Sequence, residues 1–304
     1  MNSIRIFYAV LLTIVCGDLL GQQEAQFTQF FDNKLFVNPA YAGSRGLLNV
    51  TGIHREQWMG FSGRPVSSTL SIHSPLKYES VGLGMTVVHD ESGPISQTMF
   101  YGDFSYTLSF KKQDCKLAFG IKGGVNMISA NTSSLETTVD NDPKLIQNVR
   151  NQVSPNFGAG IYYHSPHFFL GMSTPRIMEY NVGVSATNLE QRHYFGIIGG
   201  VLDLNSKWKL RPSAQVKVTM GAPMSIDLST AFIYRDKIWF GGMYRWDAAF
   251  GAFAQFQLTD QFKVGLAGDF GTQIIRNYNY GTIEILLSYD FRFNKQGIRS
   301  PRYF

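Results

Sequence analysis

Charged residues are scarce in this chain: Asp, Glu, Lys and Arg make up 16% of its 304 residues, against about 25% in an average soluble domain. Cysteine is scarcer still. Cys16 lies in the N-terminal apolar stretch and Cys115 stands alone in the rest, so an internal disulfide and a multi-cysteine metal site are excluded once that stretch is removed. Lys and Arg never gather into a run, and the net charge of +5 is spread along the chain, which argues against nucleic acid as a partner. Beyond the N-terminus no apolar run approaches the roughly 18 residues of a membrane helix. A helical membrane protein is therefore not expected.

Aromatics, at 14%, and glycine, with 30 residues, are plentiful. Their arrangement is informative between Met99 and Met127. Phe100, Phe104, Tyr106, Leu108 and Phe110 alternate with Tyr101, Asp103, Ser105, Thr107 and Ser109; after the polar turn from Lys111 to Asp114, Leu117, Phe119, Ile121, Val125 and Met127 resume the alternation. A period of two, sustained, reversed and sustained again, predicts a long β-hairpin with one apolar and one polar face. The near-neutral mean hydropathy fits a transmembrane barrel, in which alternation hides the membrane signal.

From Leu47 onward fourteen strands are expected, over about 47–58, 66–74, 80–90, 97–111, 115–129, 153–165, 168–173, 192–203, 207–219, 224–234, 237–245, 248–259, 261–270 and 281–293, with boundaries good to about two to four residues. Every second connection is short. The longer ones, Met59 to Pro65, Glu91 to Ser96, Ala130 to Gln152, Thr174 to Gln191 and Gly271 to Tyr280, all fall at the opposite end, as in an up-and-down barrel with short periplasmic turns and long external loops. The clear strands also have the length of a tilted membrane strand, about 9 to 11 residues. Trp58 and Trp246 are expected near the long-loop interface, and Trp208 and Trp239 near the short-turn interface. The fold class expected is thus all-β: an antiparallel up-and-down barrel in outer-membrane lipid.

Residues 1–21 read as a secretory signal, with Arg5 ahead of an apolar run from Ile6 to Val15 and cleavage after Gly21. The run Gln26-Phe27-Thr28-Gln29-Phe30-Phe31, followed by Asn38, Pro39, Ala40, Tyr41, Ala42, Gly43 and Ser44, resembles the N-terminal signature of the PorP/SprF-like outer-membrane proteins of the Bacteroidota type IX secretion and gliding system. The ending Ser300-Pro301-Arg302-Tyr303-Phe304 is similar to that family's ending. The resemblance implies a non-enzymatic secretion component that helps place a secreted adhesin-type cargo on the cell surface. Its implied partners are the cargo's C-terminal domain and periplasmic parts of the secretion or gliding machinery. Asn38, Pro39, Ala40, Tyr41 and Gly43 would be structural or partner-contact residues, within a segment over 22–46 that is either periplasmic or lumen-filling. The tail over 294–304 is expected on the periplasmic side.

Chemistry-bearing motifs are few. The glycine pairs Gly82/Gly84, Gly158/Gly160 and Gly241/Gly242 do not complete a phosphate-binding GxGxxG and read as sites of close approach or strand bending. His89, Asp90 and Glu91, at the end of the third strand, are the best candidates for a hydrolase site, but neighbours on a strand point to opposite faces. His54, His73, His164, His167 and His193 show no ligand spacing, so neither a metal nor another cofactor is expected. Asp103, Lys122, Arg211, Lys217, Asp227, Lys263, Glu284 and Asp290 share the parity opposite the apolar stripe. A Lys or Arg facing lipid at the midplane would cost about 2–4 kcal/mol, so these charges are expected in the lumen, paired into a plug-like network or lining a passage. The connection from Ala130 to Gln152 carries Leu135, Glu136, Asp140, Asp142, Lys144 and Arg150 and is the candidate external partner loop, being longer than closure needs. A passive porin or solute channel is the alternative function.

Overall fold

The computed structural model describes residues 25–77, 80–110, 112–131, 149–181, 189–220, 222–272 and 279–292. Fourteen strands form the wall: β1 Leu48–Glu56, β2 Val66–Pro75, β3 Val81–Ser92, β4 Ile95–Phe110, β5 Cys115–Ala130, β6 Val149–His164, β7 Phe168–Thr174, β8 His193–Gly200, β9 Trp208–Thr219, β10 Ser225–Tyr234, β11 Ile238–Arg245, β12 Ala249–Gln257, β13 Phe262–Gly271 and β14 Thr282–Phe291. Each pairs antiparallel with its neighbours in sequence. Pairing of β1 with β14, from Leu48 opposite Phe291 to Glu56 opposite Ile283, closes the ring. The wall is a closed up-and-down barrel in which each strand has a hydrogen-bonded neighbour on both sides.

All fourteen expected segments coincide with these strands, including the weakly patterned 47–58, 168–173 and 237–245. Closure explains the weak ones, because a barrel missing one strand would expose two unpaired edges to lipid. Three local expectations fail. Glu91 to Ser96 is not a loop: the ladder continues to Ser92 opposite Ile95, and Gly93, at φ 57°, makes the turn with Pro94. Arg150 belongs to β6 rather than to a loop, since β6 begins at Val149, which pairs with Ala130 across a register shift. Trp239 does not lie at the membrane interface. It is 1% exposed inside the barrel, with the Lys263 ammonium 5.7 Å from its ring centre, because it shares inward parity with Met243 and Arg245.

The hairpin β4–β5 divides as its alternation demands. Phe100, Phe104, Tyr106, Leu108, Phe110, Phe119 and Ile121 are exposed on the outer face, while Tyr101, Asp103, Ser105, Lys122 and Asn126 are buried inside. Outward rows elsewhere are equally apolar: Leu266, Phe270, Ile283, Ile285 and Leu287 are exposed in β13 and β14. An outer surface this apolar is a lipid-facing one.

The inward rows enclose the chain's own N-terminal segment. Phe30–Asp32 forms a 3-10 turn, Lys34–Val37 a single helical turn (α1) and Pro39–Tyr41 a second 3-10 turn. In that last turn Asn38 is the cap: its side-chain oxygen accepts from the Ala40 N–H at 3.0 Å, and Pro39 occupies the first position, where no N–H is needed. Phe27, Leu35, Phe36, Val37, Ala40, Tyr41 and Ala42 form one buried cluster with inward residues such as Ile53, Val88, Tyr162, Phe169, Phe195 and Leu286. The core of this barrel is thus built on its N-terminal segment.

Candidate functional site: a lumen filled by the N-terminal segment

Backbone and side chains of residues 28–45 are bound to the wall strand by strand. Near the long-loop end, Glu284 of β14 accepts from the Thr28 N–H (2.8 Å), the Gln29 N–H (2.9 Å) and the Gln29 side-chain amide (3.1 Å). Arg55 of β1 closes this group, with its guanidinium 3.3 Å from Glu284 and 2.7 Å from Asp269 of β13, and Thr28 donates to Asp269 at 2.7 Å. Each of these charges is buried and multiply hydrogen-bonded, the condition under which an interior ion pair is tolerated.

Farther down, Asp32 meets Lys263 of β13 at 2.7 Å and accepts from Gln255 of β12 at 2.6 Å. The amine of Lys34 donates to the Phe31 carbonyl at 2.6 Å and lies over the rings of Phe169 and Tyr41. On the other wall, Lys122 of β5 pairs with Asp103 of β4 at 3.4 Å and donates to the Leu35 and Phe36 carbonyls, each at 3.0 Å. Those two carbonyls lie in α1, too short to satisfy its own last acceptors. Lys122 satisfies them instead.

The residues from Asn38 to Gly43 sit at the short-turn half, on a floor of glycines. A Cβ at Gly120 would lie 2.2 Å from the Ala40 nitrogen, one at Gly160 2.2 Å from the Asn38 side-chain oxygen, and one at Gly82 2.2 Å from the Ala42 carbonyl oxygen. Only glycine lets the segment approach the wall so closely. Asn38 also donates to the Ile161 carbonyl at 3.0 Å. Tyr41 packs edge-on to Tyr162 (5.4 Å between ring centres), and Gly43, at φ 72°, donates its N–H to His73 at 3.1 Å. Arg45 then pairs with Asp290 of β14 at 3.3 Å.

Of the charges expected in the lumen, Asp103, Lys122, Arg211, Lys217, Asp227 and Glu284 are all buried on inward positions. Asp103 and Lys122 face each other, Glu284 holds the segment, Asp227 pairs with Arg245 at 2.7 Å, and Arg211 stacks on Phe31 at 4.1 Å. They are therefore spread along the lumen and not gathered at one centre. Sequence reasoning passed over Arg55, Asp269 and Arg245, although inward parity in their strands marks all three. His89 pairs with Glu91 at 3.0 Å on the exposed face, whereas Asp90 lies on the other face and accepts from Ser67. Leu135, Glu136, Asp140, Asp142 and Lys144 of the candidate partner loop lie outside the described residues, as do 1–21 and 294–304; Arg150 is exposed at the start of β6.

A family profile described as "Type IX secretion system membrane protein PorP/SprF" matches residues 19–289, a span holding both the segment and nearly all of the wall. The chain belongs to the PorP/SprF family. This PorP/SprF chain is an outer-membrane β-barrel component of type IX secretion. No curated protein matches its sequence. Among solved structures it is similar to the CymD monoaromatic hydrocarbon channel, at 10% identity over 86% of this chain and 99% of that one, with a TM-score of 0.52. It also matches the Acinetobacter baumannii outer membrane protein Omp33, at 9% identity over 81% of this chain and 98% of that one, with a TM-score of 0.48. At such identities the likeness to CymD concerns the barrel fold alone.

Proposed function

We propose that this PorP/SprF barrel is a non-catalytic scaffold that anchors a secreted cargo at the cell surface. In this reading the loops at the long-loop end face outward and hold the cargo's C-terminal domain, while the short-turn end faces the periplasmic machinery. The observation that carries the reading is the filled lumen. Inward residues along β1, Asn49, Thr51, Ile53 and Arg55, are buried, Ile53 in the cluster that the N-terminal segment forms and Arg55 bonded to Thr28, so the barrel offers a plugged platform in place of a conduit. Family membership supplies the secretion context.

The rival is a passive solute channel, for which the segment would have to leave the lumen. Purification from the native outer membrane after mild cross-linking, followed by mass spectrometry, tests the scaffold. A secreted protein recovered through its C-terminal region is the expected result, together with electrically silent protein in planar bilayers. Steady open conductance with no secreted or periplasmic partner would replace the scaffold with the channel.

A further inference from the structure

The N-terminal segment does not enter and leave the lumen by the same mouth. Its last residues are at the short-turn end: Gly43 lies against Pro75 and Gly82, at the short-turn termini of β2 and β3, and Arg45 reaches Asp290, one residue from the end of β14. Its first described residues are at the other end. Ala25, Gln26 and Phe27 line a small cavity with Phe195, Gln215, Lys217, Ser225 and Asp227. Ser225 and Lys217 are paired next to the β9–β10 turn, which belongs to the long-loop set of connections. Directly after them, Thr28 and Gln29 are held by Glu284, near the long-loop terminus of β14, and Thr28 bonds Asp269, near that of β13. Strands β8 to β10 on one part of the wall and the neighbouring β13 and β14 on another thus both hold residues 25–29 toward the long-loop end.

We infer that the segment threads the barrel from mouth to mouth, with Ala25 toward the long-loop mouth and Arg45 toward the short-turn mouth. An even number of strands puts the start of β1 and the end of β14 at the short-turn end, and on the wall alone both chain ends would lie there. Threading puts Ala25 at the opposite mouth. On the orientation proposed above, Ala25 lies at the surface-facing mouth beside the loops.

Site-directed labelling with a membrane-impermeant maleimide tests the inference in full-length protein carrying Cys115→Ser. Three reporters are compared: a Gly-Ser-Cys insert between Glu24 and Ala25, Ser62→Cys on the exposed Gln57-to-Pro65 link at the long-loop end, and Ser206→Cys on the exposed turn before β9 at the short-turn end. The insert is expected to react from the same compartment as Ser62→Cys, in intact cells. Reaction together with Ser206→Cys only after permeabilisation would overturn the threading, as would an insert that reacts only in denatured protein. If Ser206→Cys reacts in intact cells and Ser62→Cys does not, the outward orientation is wrong, and the threading is still judged by which of the two the insert follows. Should the insert prevent folding, judged by loss of heat-modifiable mobility on gels, the same cysteine on a longer Gly-Ser insert replaces it.

Discussion

Asp32 and Lys263 face each other at 2.7 Å inside the barrel, the first on the N-terminal segment and the second on β13, 231 residues later. One pair therefore fastens the beginning of the chain to the wall near its end. Both side chains are less than a tenth exposed, so solvent does little to screen them.

Breaking this pair from one side should destabilise the barrel more than removing it whole. Lys263→Met leaves a buried carboxylate, at a cost of about 3–5 kcal/mol, whereas Asp32→Asn combined with Lys263→Met should cost much less. The temperature at which the folded band disappears on unheated gels gives the order: single variant lowest, double variant between it and wild type.

Gly120→Ala should displace the Asn38–Tyr41 turn, because the new methyl would meet the backbone of Pro39 and Ala40 at 2.2–2.5 Å. Overpacking of this kind costs about 1–3 kcal/mol. The matched control is Gly196→Ala, whose added carbon meets nothing within 4 Å. Increased trypsin cleavage at Lys34 or Arg45 in Gly120→Ala alone is the expected outcome. Similar digestion of both variants would mean that the glycine floor does not position the segment.

Glu284→Ala removes the acceptor for Thr28, Gln29 and Arg55 together. It leaves two backbone N–H groups, the Gln29 side-chain amide and one guanidinium each short of a partner, at about 1–3 kcal/mol for each neutral group and more for the charge. The upper part of the segment should loosen first, seen as transient ion conductance in planar bilayers where wild type is silent. A variant as quiet as wild type would show that the segment stays seated without this carboxylate.

Strand identity was legible because each strand carries its own signal. Phe100 to Phe110 and Leu117 to Met127 alternate without reference to any other residue, and the same alternation marked Lys122 and Glu284 as inward before any partner was known. Trp239 was misplaced by residue type, since aromatic belts drew it outward, while parity with Met243 and Arg245 puts it inside. The seating of the N-terminal segment was not legible. Residues 25–46 have no period of two or of 3.6, and their partners, from Ile53 and Arg55 to Asp290, are scattered over the whole chain. What such a segment touches depends on barrel closure, a property of all fourteen strands at once. The glycines were visible as gaps, but the turn that fills them could not be paired with them from sequence.

A segment that runs from one mouth to the other also constrains how the protein can be assembled. With Phe30, Phe31, Phe36 and Tyr41 held by inward side chains on many strands, it cannot be drawn through a finished ring without breaking those contacts. A ring that shuts around the segment forms them as it closes, and the β1–β14 seam carries Arg55 on one side and Glu284 on the other, both bonded to Thr28. The first residues of the chain thus serve as a gauge for the last strand: only when β14 arrives in register does Glu284 reach the two N–H groups waiting for it.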